Sequence, residues 1–213
     1  EAVNTIDRQK AMNSLDEILL LEPEQTFIKL EGVSVAVLTG AGEKAFVAGA
    51  DIASMSRMTP QQARGFSELG QGLMASIESS SFISIAAVNG FALGGGLELA
   101  LACDLIYASS NAKLALPETN LGLIPGFGGT VNLIQRVGFH RAMEMILTGK
   151  MISADEAKTF GLVLDVFSQA ELLPKVEELA NKLSKKGILS LLAGRRLTRA
   201  MVSMDKDRAL LLE

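Results

Sequence analysis

The stretch "AAVNGFALGGGLELALACD", Ala86 to Asp104, decides how the chain is read. Three glycines run into a segment whose only charges are Glu98 and Asp104. Just upstream, "FISIAAVNG" predicts a buried strand, β-branched and apolar up to a turn. "GGGLELALACDLIYASS" then predicts a central helix, apolar nearly all round. Two readings of Gly94, Gly95 and Gly96 stand. A helix start after a strand turns unpaired backbone N–H groups and a positive dipole end toward whatever lies above, which is how an oxyanion site is made without side chains. Alternatively, small residues simply let a buried helix pack closely. Glu98 favours the first reading, because a carboxylate among Leu, Ala and Cys is desolvated unless it faces a cleft.

Two more glycine loops flank this one. "VSVAVLTGAG" (Val33–Gly42) predicts a buried strand with its loop, and "TGAGEKAFVAGAD" continues from it. Gly40, Gly42 and Ala45 fit the dinucleotide-binding spacing, but that site needs a helix at once and an acidic residue about twenty positions on. "KAFVAGAD" interrupts, and Asp51 comes too early, so a Rossmann site is set aside. Gly49, between two alanines, leaves backbone N–H groups unshielded by bulky side chains. In "LALPETNLGLIPGFGGT", Glu118 read alone is a solvated loop residue. Beside Glu98 it suggests two carboxylates working on one reacting centre.

The remaining chain alternates strands and helices and turns helical in its last third, which argues an α/β class. "TPQQARGFSELGQGLMASIES" carries Thr59 as N-cap, Pro60 at the first helical position and Gln62 three after the cap. "AKLALPETNLG" predicts a short strand entering a loop, and "GLIPGFGGTVNLIQRVG" a glycine loop opening a helix. "HRAMEMILTGK" is an amphipathic helix stopped by Gly149, and "SADEAKTFG" holds a capping box of Ser153 and Glu156. "AELLPKVEELANKLSKKG" places Val176, Leu179, Ala180 and Leu183 on one face. The closing "LLAGRRLTRAMVSMDKDRALLLE" reads as helical and as continuing beyond its last residue.

Totals exclude several function classes. With 213 residues, 48% hydrophobic and 21% charged, the chain can bury a large core as one domain or a core with a small appendage. A net charge of −4, without a long Lys/Arg block, argues against a nucleic-acid partner, with Arg195–Arg196 at most a local patch. No apolar run is long enough for a membrane span. No basic-then-apolar leader is read at the start, and a cytoplasmic location is expected. Cys103 and His140 are the single Cys and the single His, which removes internal disulfides, thiolate clusters, multi-His metal sites and most His-containing triads. Cys103 reads as inert packing.

Together, "KAFVAGADI" (Lys44–Ile52), the opening stretch, "LPETNLGLIPGFGGT" (Leu116–Thr130) and "LTGKMISADEAKTFGLV" (Leu147–Val163) resemble the crotonase, or enoyl-CoA hydratase/isomerase, superfamily. The resemblance implies a spiral of ββα turns, expected over 1–140 with the active site, followed by a helical trimerisation region over 141–213. It implies an acyl-CoA thioester as substrate, a homotrimer or a hexamer built from two trimers, and no metal or redox cofactor. Coenzyme A would be part of the substrate, as in fatty-acid β-oxidation. The family's oxyanion-hole donors fall on the N–H groups of Ala50 and Gly95, and its catalytic glutamates on Glu98 and Glu118. Its CoA site falls on Lys10, Ala11, Ala48, Asp51 and Ile52. Hydration of a C2–C3 double bond is therefore expected. The alternatives are Δ3–Δ2 isomerisation, another acyl-CoA lyase reaction, or non-catalytic acyl-CoA binding. Departures from the family pattern include Gln9 in "DRQKAMNSL", and Leu116 and Val131, which are expected to make the acyl neighbourhood more apolar. Residues 21–32 fit the family poorly.

Overall fold

The computed structural model describes residues 1–16, 20, 32–51, 55–202, 204 and 206–210. Its centre is a parallel sheet of β1 (Ala2–Ile6), β2 (Val35–Gly40), β4 (Ile83–Val88), β6 (Leu105–Ser109) and β9 (Asp165–Phe167), side by side in that order. β2 and β4 are buried along their whole length. Side chains alternate across a strand, so an unbroken apolar run means that both faces are covered. Val35, Val37, Ile83, Ile85 and Ala87 pack on one side against Leu172, Val176 and Ala180 of helix α6 (Gln169–Ser184). Ala36, Leu38, Ala86 and Val88 face the larger core on the other side.

Short strands β3 (Ala45–Val47), β5 (Phe91–Leu93), β7 (Lys113–Ala115) and β8 (Ile152–Ser153) form a second sheet in that order. The first three run parallel, and β8 joins antiparallel. The path repeats: a long strand enters the first sheet, a short one enters the second, and a helical segment returns. β2 and β3 lead to α1 (Pro60–Glu78), and β4 and β5 lead to α2 (Gly95–Ala102). β6 and β7 lead to a 3-10 turn (Glu118–Leu121) and then α3 (Gly129–Val137). The start of α2 and the turn at Glu118 therefore follow adjacent, hydrogen-bonded strands of one sheet. The expected spiral of ββα turns is present. α4 (Phe139–Thr148), α5 (Ala154–Thr159), α7 (Ile188–Ala200) and α8 (Lys206–Leu210) complete the described helices. The segment from 141 onward is not only helical, since it supplies β8 and β9 to the two sheets.

Both expected capping boxes form, Thr59 with Gln62 on α1 and Ser153 with Glu156 on α5, and Gly149 ends α4 in the left-handed region. One expectation fails. The helix read across "GGGLELALACDLIYASS" stops at Ala102; Cys103 is extended and Leu105–Ser109 is β6. A run that is apolar nearly throughout has no period by which helix and strand can be told apart. The switch is fixed by Asp104, whose Oδ2 accepts from the Ser84 N–H at 2.9 Å and from its hydroxyl at 3.1 Å. The final stretch, read as continuous helix, is divided between α7 and α8. Residues 2–6, to which the sequence assigns no element, form β1.

Candidate active site

The site begins where β5 turns into α2. Gly94 caps the helix at φ +51°, a backbone conformation that side chains rarely adopt, and donates to Ala115 O at 2.9 Å. At Gly96 a Cβ would fall 1.9 Å from Val47 O, so only hydrogen lets α2 rest directly on β3. The first-turn N–H groups, Gly95 among them, have no partner within the helix and carry its positive end.

Ala50 meets this place from another loop. Leu15 N–H donates to Gly49 O at 2.9 Å, and Asp51 N–H donates to Leu15 O at 3.0 Å, a parallel bridge centred on Ala50. In such a bridge the central residue's own N–H points away from its neighbour. Gly49 Cα lies 3.9 Å from where a Gly94 Cβ would be. Ala50 and Gly95 each follow one member of that contact, so the two segments approach each other there.

Glu98 stands on the first turn of α2, 2% exposed. The backbone N–H groups of Phe127 and Gly129 both donate to its Oε1, each at 2.8 Å. Burial pushes its carboxyl up to about 7, assisted by the charge of Glu118 and opposed by those two N–H groups. Glu118 opens the 3-10 turn after β7. Thr119 secures that turn by donating its hydroxyl to Ile146 O at 3.1 Å, at the end of α4. A Gly94 Cβ would meet Glu118 Oε1 at 2.9 Å, so this carboxyl reaches the start of α2. Its Oε2 is buried without a protein partner, and burial raises its pKa as well. The structure thus brings the Glu98 and Glu118 carboxyls close enough to interact, with the Gly49–Gly94 approach beside Glu118. Two interacting carboxyls of this kind titrate as a pair.

Of the expected CoA-site residues, Lys10, Ala11, Ala48 and Asp51 are among the described residues. The segment carrying Lys10 and Ala11 forms a short 3-10 turn at Gln9–Ala11, and just beyond it Ala48 N–H donates to Met12 O at 3.0 Å. With the Leu15 bridge, this lays residues 12–15 along 48–51. Lys10 is exposed, Ala11, Ala48 and Asp51 are half-buried, and Ile52 lies outside the described residues. Two asparagines were not anticipated. Asn13, at φ +57°, donates to Ala41 O at 3.0 Å and Ala45 O at 2.8 Å, while Asn89 donates to Gly40 O and Gly42 O, each at 2.8 Å. Between them they hold the loop that leads to Ala48. Asparagine's tolerance of the left-handed region was the available signal for Asn13.

Leu116 is fully buried in the core, and Val131 is exposed on α3. Burial pushes the Cys103 thiol up to about 12, and its Sγ lies 3.5 Å from Leu99 O, consistent with packing. Among the described residues no cluster of three or more His, Cys, Asp or Glu could hold a metal ion. No helix among them is long and apolar enough to cross a membrane.

The family profile described as enoyl-CoA hydratase/isomerase matches residues 2–213. The chain is 44% identical over 215 residues to the crotonyl-CoA hydratase of Syntrophomonas wolfei, an alignment covering 100% of this chain and 83% of that protein. It is 42% identical over 215 residues to the short-chain-enoyl-CoA hydratase of Clostridium acetobutylicum, covering 100% and 82% respectively. Its fold is similar to the crystal structure of an enoyl-CoA hydratase from Bacillus anthracis, with a TM-score of 0.93 at 40% identity over 98% of this chain and 82% of the other.

Proposed function

The chain belongs to the enoyl-CoA hydratase/isomerase family, and from this premise we infer that it is an enoyl-CoA hydratase, a hydro-lyase acting on acyl-CoA thioesters. The observation that carries the site's assignment is the pairing of buried Glu98 with half-buried Glu118, close to where the Gly49 and Gly94 backbones meet.

In this reading the thioester oxygen of a 2-enoyl-CoA accepts hydrogen bonds from Ala50 and Gly95 N–H. Electron density drawn toward that oxygen makes C3 electrophilic, and fixed donors stabilise the enolate-like charge that develops. With Oε1 of Glu98 occupied by two N–H groups, Oε2 is the oxygen left to hold and deprotonate a water. The water oxygen bonds to C3, the C2–C3 π pair moves to C2, and Glu118 delivers a proton there. The elements of water are added to one face, and no electrons leave the system. A Glu98 carboxyl near 7 has both protonation states available around neutrality, which suits reversible proton transfer.

Residues 10–11 and 48–52 take the CoA portion, with Lys10 as an exposed point charge for its phosphates. The protein works as a trimer or a pair of trimers, a reading supported by exposed apolar side chains such as Ile124, Phe139 and Leu147. Adding the protein to a short 2-enoyl-CoA should lower the ultraviolet absorption of the conjugated thioester to an equilibrium level, and an acyl-chain series then reports specificity. Unchanged absorption across the series would contradict the reading.

A further inference from the structure

Glu98 is held by a loop whose own position is set from outside the site. The peptide between Gly126 and Phe127 is one planar unit, its C=O and N–H pointing in opposite directions. The N–H reaches Glu98 Oε1 at 2.8 Å. On the other side, Gly126 O accepts from the Ser67 hydroxyl and, at 2.9 Å, from Gln71 Nε2, both on α1. Between them in the sequence, Gly70 leaves a notch in the helix. A Cβ at Gly70 would fall 2.1 Å from the Phe127 ring, so the ring occupies the volume that any side chain there would need. The same ring packs on Phe66, centroids 5.5 Å apart, and approaches Gly95, where a Cβ would meet it at 3.0 Å.

Residues 66, 67, 70 and 71 share one helical face. That face therefore seats the Phe127 ring and holds the carbonyl of the peptide whose N–H holds Glu98. We propose that α1 is a positioning element for the reaction, with Ser67, Gly70 and Gln71 orienting the Glu98 carboxyl through the Gly126–Phe127 peptide. Donation to the carbonyl also polarises the amide, so hydrogen bonds in such a chain strengthen one another. Losing the outer donors weakens the inner one. Ser67 and Gln71 touch no reacting atom; they act through the peptide.

This inference rests on Glu98 being a working carboxyl of hydration, and its test separates the two claims. Among the described residues Glu118 is the charged group that faces Glu98, and the test leaves it untouched. Ser67→Ala/Gln71→Ala removes both outer donors from a half-buried and an exposed position, so the fold is retained. The Glu98 side-chain carboxyl is followed by carbon-13 NMR in uniformly labelled protein, its signal assigned by its loss in Glu98→Gln. Its titration midpoint should move upward in the double variant, because the N–H that favours the charged form is weakened. Hydration of a short 2-enoyl-CoA at fixed pH should fall by roughly fivefold to tenfold, the worth of about one ordinary hydrogen bond. Ser67→Thr, which keeps the hydroxyl, and Glu68→Ala, an exposed neighbour on α1, should leave the midpoint in place. Gly70→Ala should produce a larger upward shift, by unseating the ring. An unmoved midpoint in the double variant overturns the proposal whether or not the protein hydrates enoyl thioesters. Absence of hydration by the parent protein overturns the functional reading alone.

Discussion

The Gly129 N–H donates to Glu98 Oε1 at 2.8 Å, and a Cβ on Gly129 would lie 2.9 Å from that same oxygen. Donor and carboxylate approach this closely only because residue 129 has no side chain. A Cβ would also crowd Glu98 Cγ and Pro125 Cβ, each at 3.0 Å. Gly129→Ala should therefore displace the Glu98 carboxyl and lower enoyl-CoA hydration on the order of tenfold to a hundredfold. Steady-state kinetics alongside far-ultraviolet circular dichroism checks this. A folded variant with the parent turnover number would contradict it.

Burial of Glu98 has a sign that can be tested. Its carboxyl stands at about 7 in the folded chain against an ordinary 4.5. Between those values the unfolded chain binds fewer protons than the folded one, so stability falls as pH rises through the window. Below about 4.5 no penalty is present; above about 7 it is complete and on the order of 3 kcal/mol. Glu98→Gln keeps an acceptor for the two N–H groups and removes the charge. Thermal unfolding should show the variant gaining on the parent from pH 4.5 to 8, and a gap independent of pH would contradict the assignment.

Asp104, the other charge of the opening stretch, has a structural task. Besides Ser84, its carboxylate accepts from Arg199 Nη2 at 3.0 Å and lies 3.5 Å from Arg195 Nη1. Arg195 also donates to Phe82 O at 2.8 Å, so α7 is tied to the sheet through both arginines. The carboxylate is 10% exposed, and removing one partner of a largely buried pair strands the other. Asp104→Ala should cost about 3 kcal/mol in denaturant unfolding. Turnover per folded molecule should stay near the parent value. A loss of turnover without a loss of stability would place Asp104 in the chemistry instead.

Ile124 is 72% exposed and Leu147 64% exposed, apolar surface that assembly would cover. Sedimentation of the full-length protein at micromolar concentration should therefore give a trimer or hexamer. A stable monomer would contradict that assembly.

Where chemistry needs a particular residue type, the sequence was legible. A carboxylate in an apolar first turn marks itself, but where a cleft was expected to receive Glu98 the structure buries it on the N–H groups of Phe127 and Gly129. Thr59 with Gln62 and Ser153 with Glu156 are local devices, readable because both partners lie within one turn. Contacts between distant segments were not legible. Nothing around Gly70 says that the Phe127 ring will fill it, since 57 residues separate them and only the fold brings them together. Asn13 and Asn89 look like ordinary turn residues until their side chains are seen closing one loop from two sides. The helix expected through Leu105–Ser109 failed for a related reason: Asp104 ends it through Ser84, a partner twenty residues upstream.

The central claim is that Glu98 and Glu118 act together on one water. Gln matches Glu in size and cannot exchange a proton, so the most direct measurement is hydration of a short 2-enoyl-CoA by Glu98→Gln, Glu118→Gln and the double variant. Each single variant should lose roughly a hundredfold to ten-thousandfold in turnover. The double variant should lose far less than the product of the two, because both groups serve one transition state. Glu98→Gln with full hydratase activity, or with intact Δ3-to-Δ2 isomerisation that only Glu118→Gln abolishes, would contradict the two-carboxylate account.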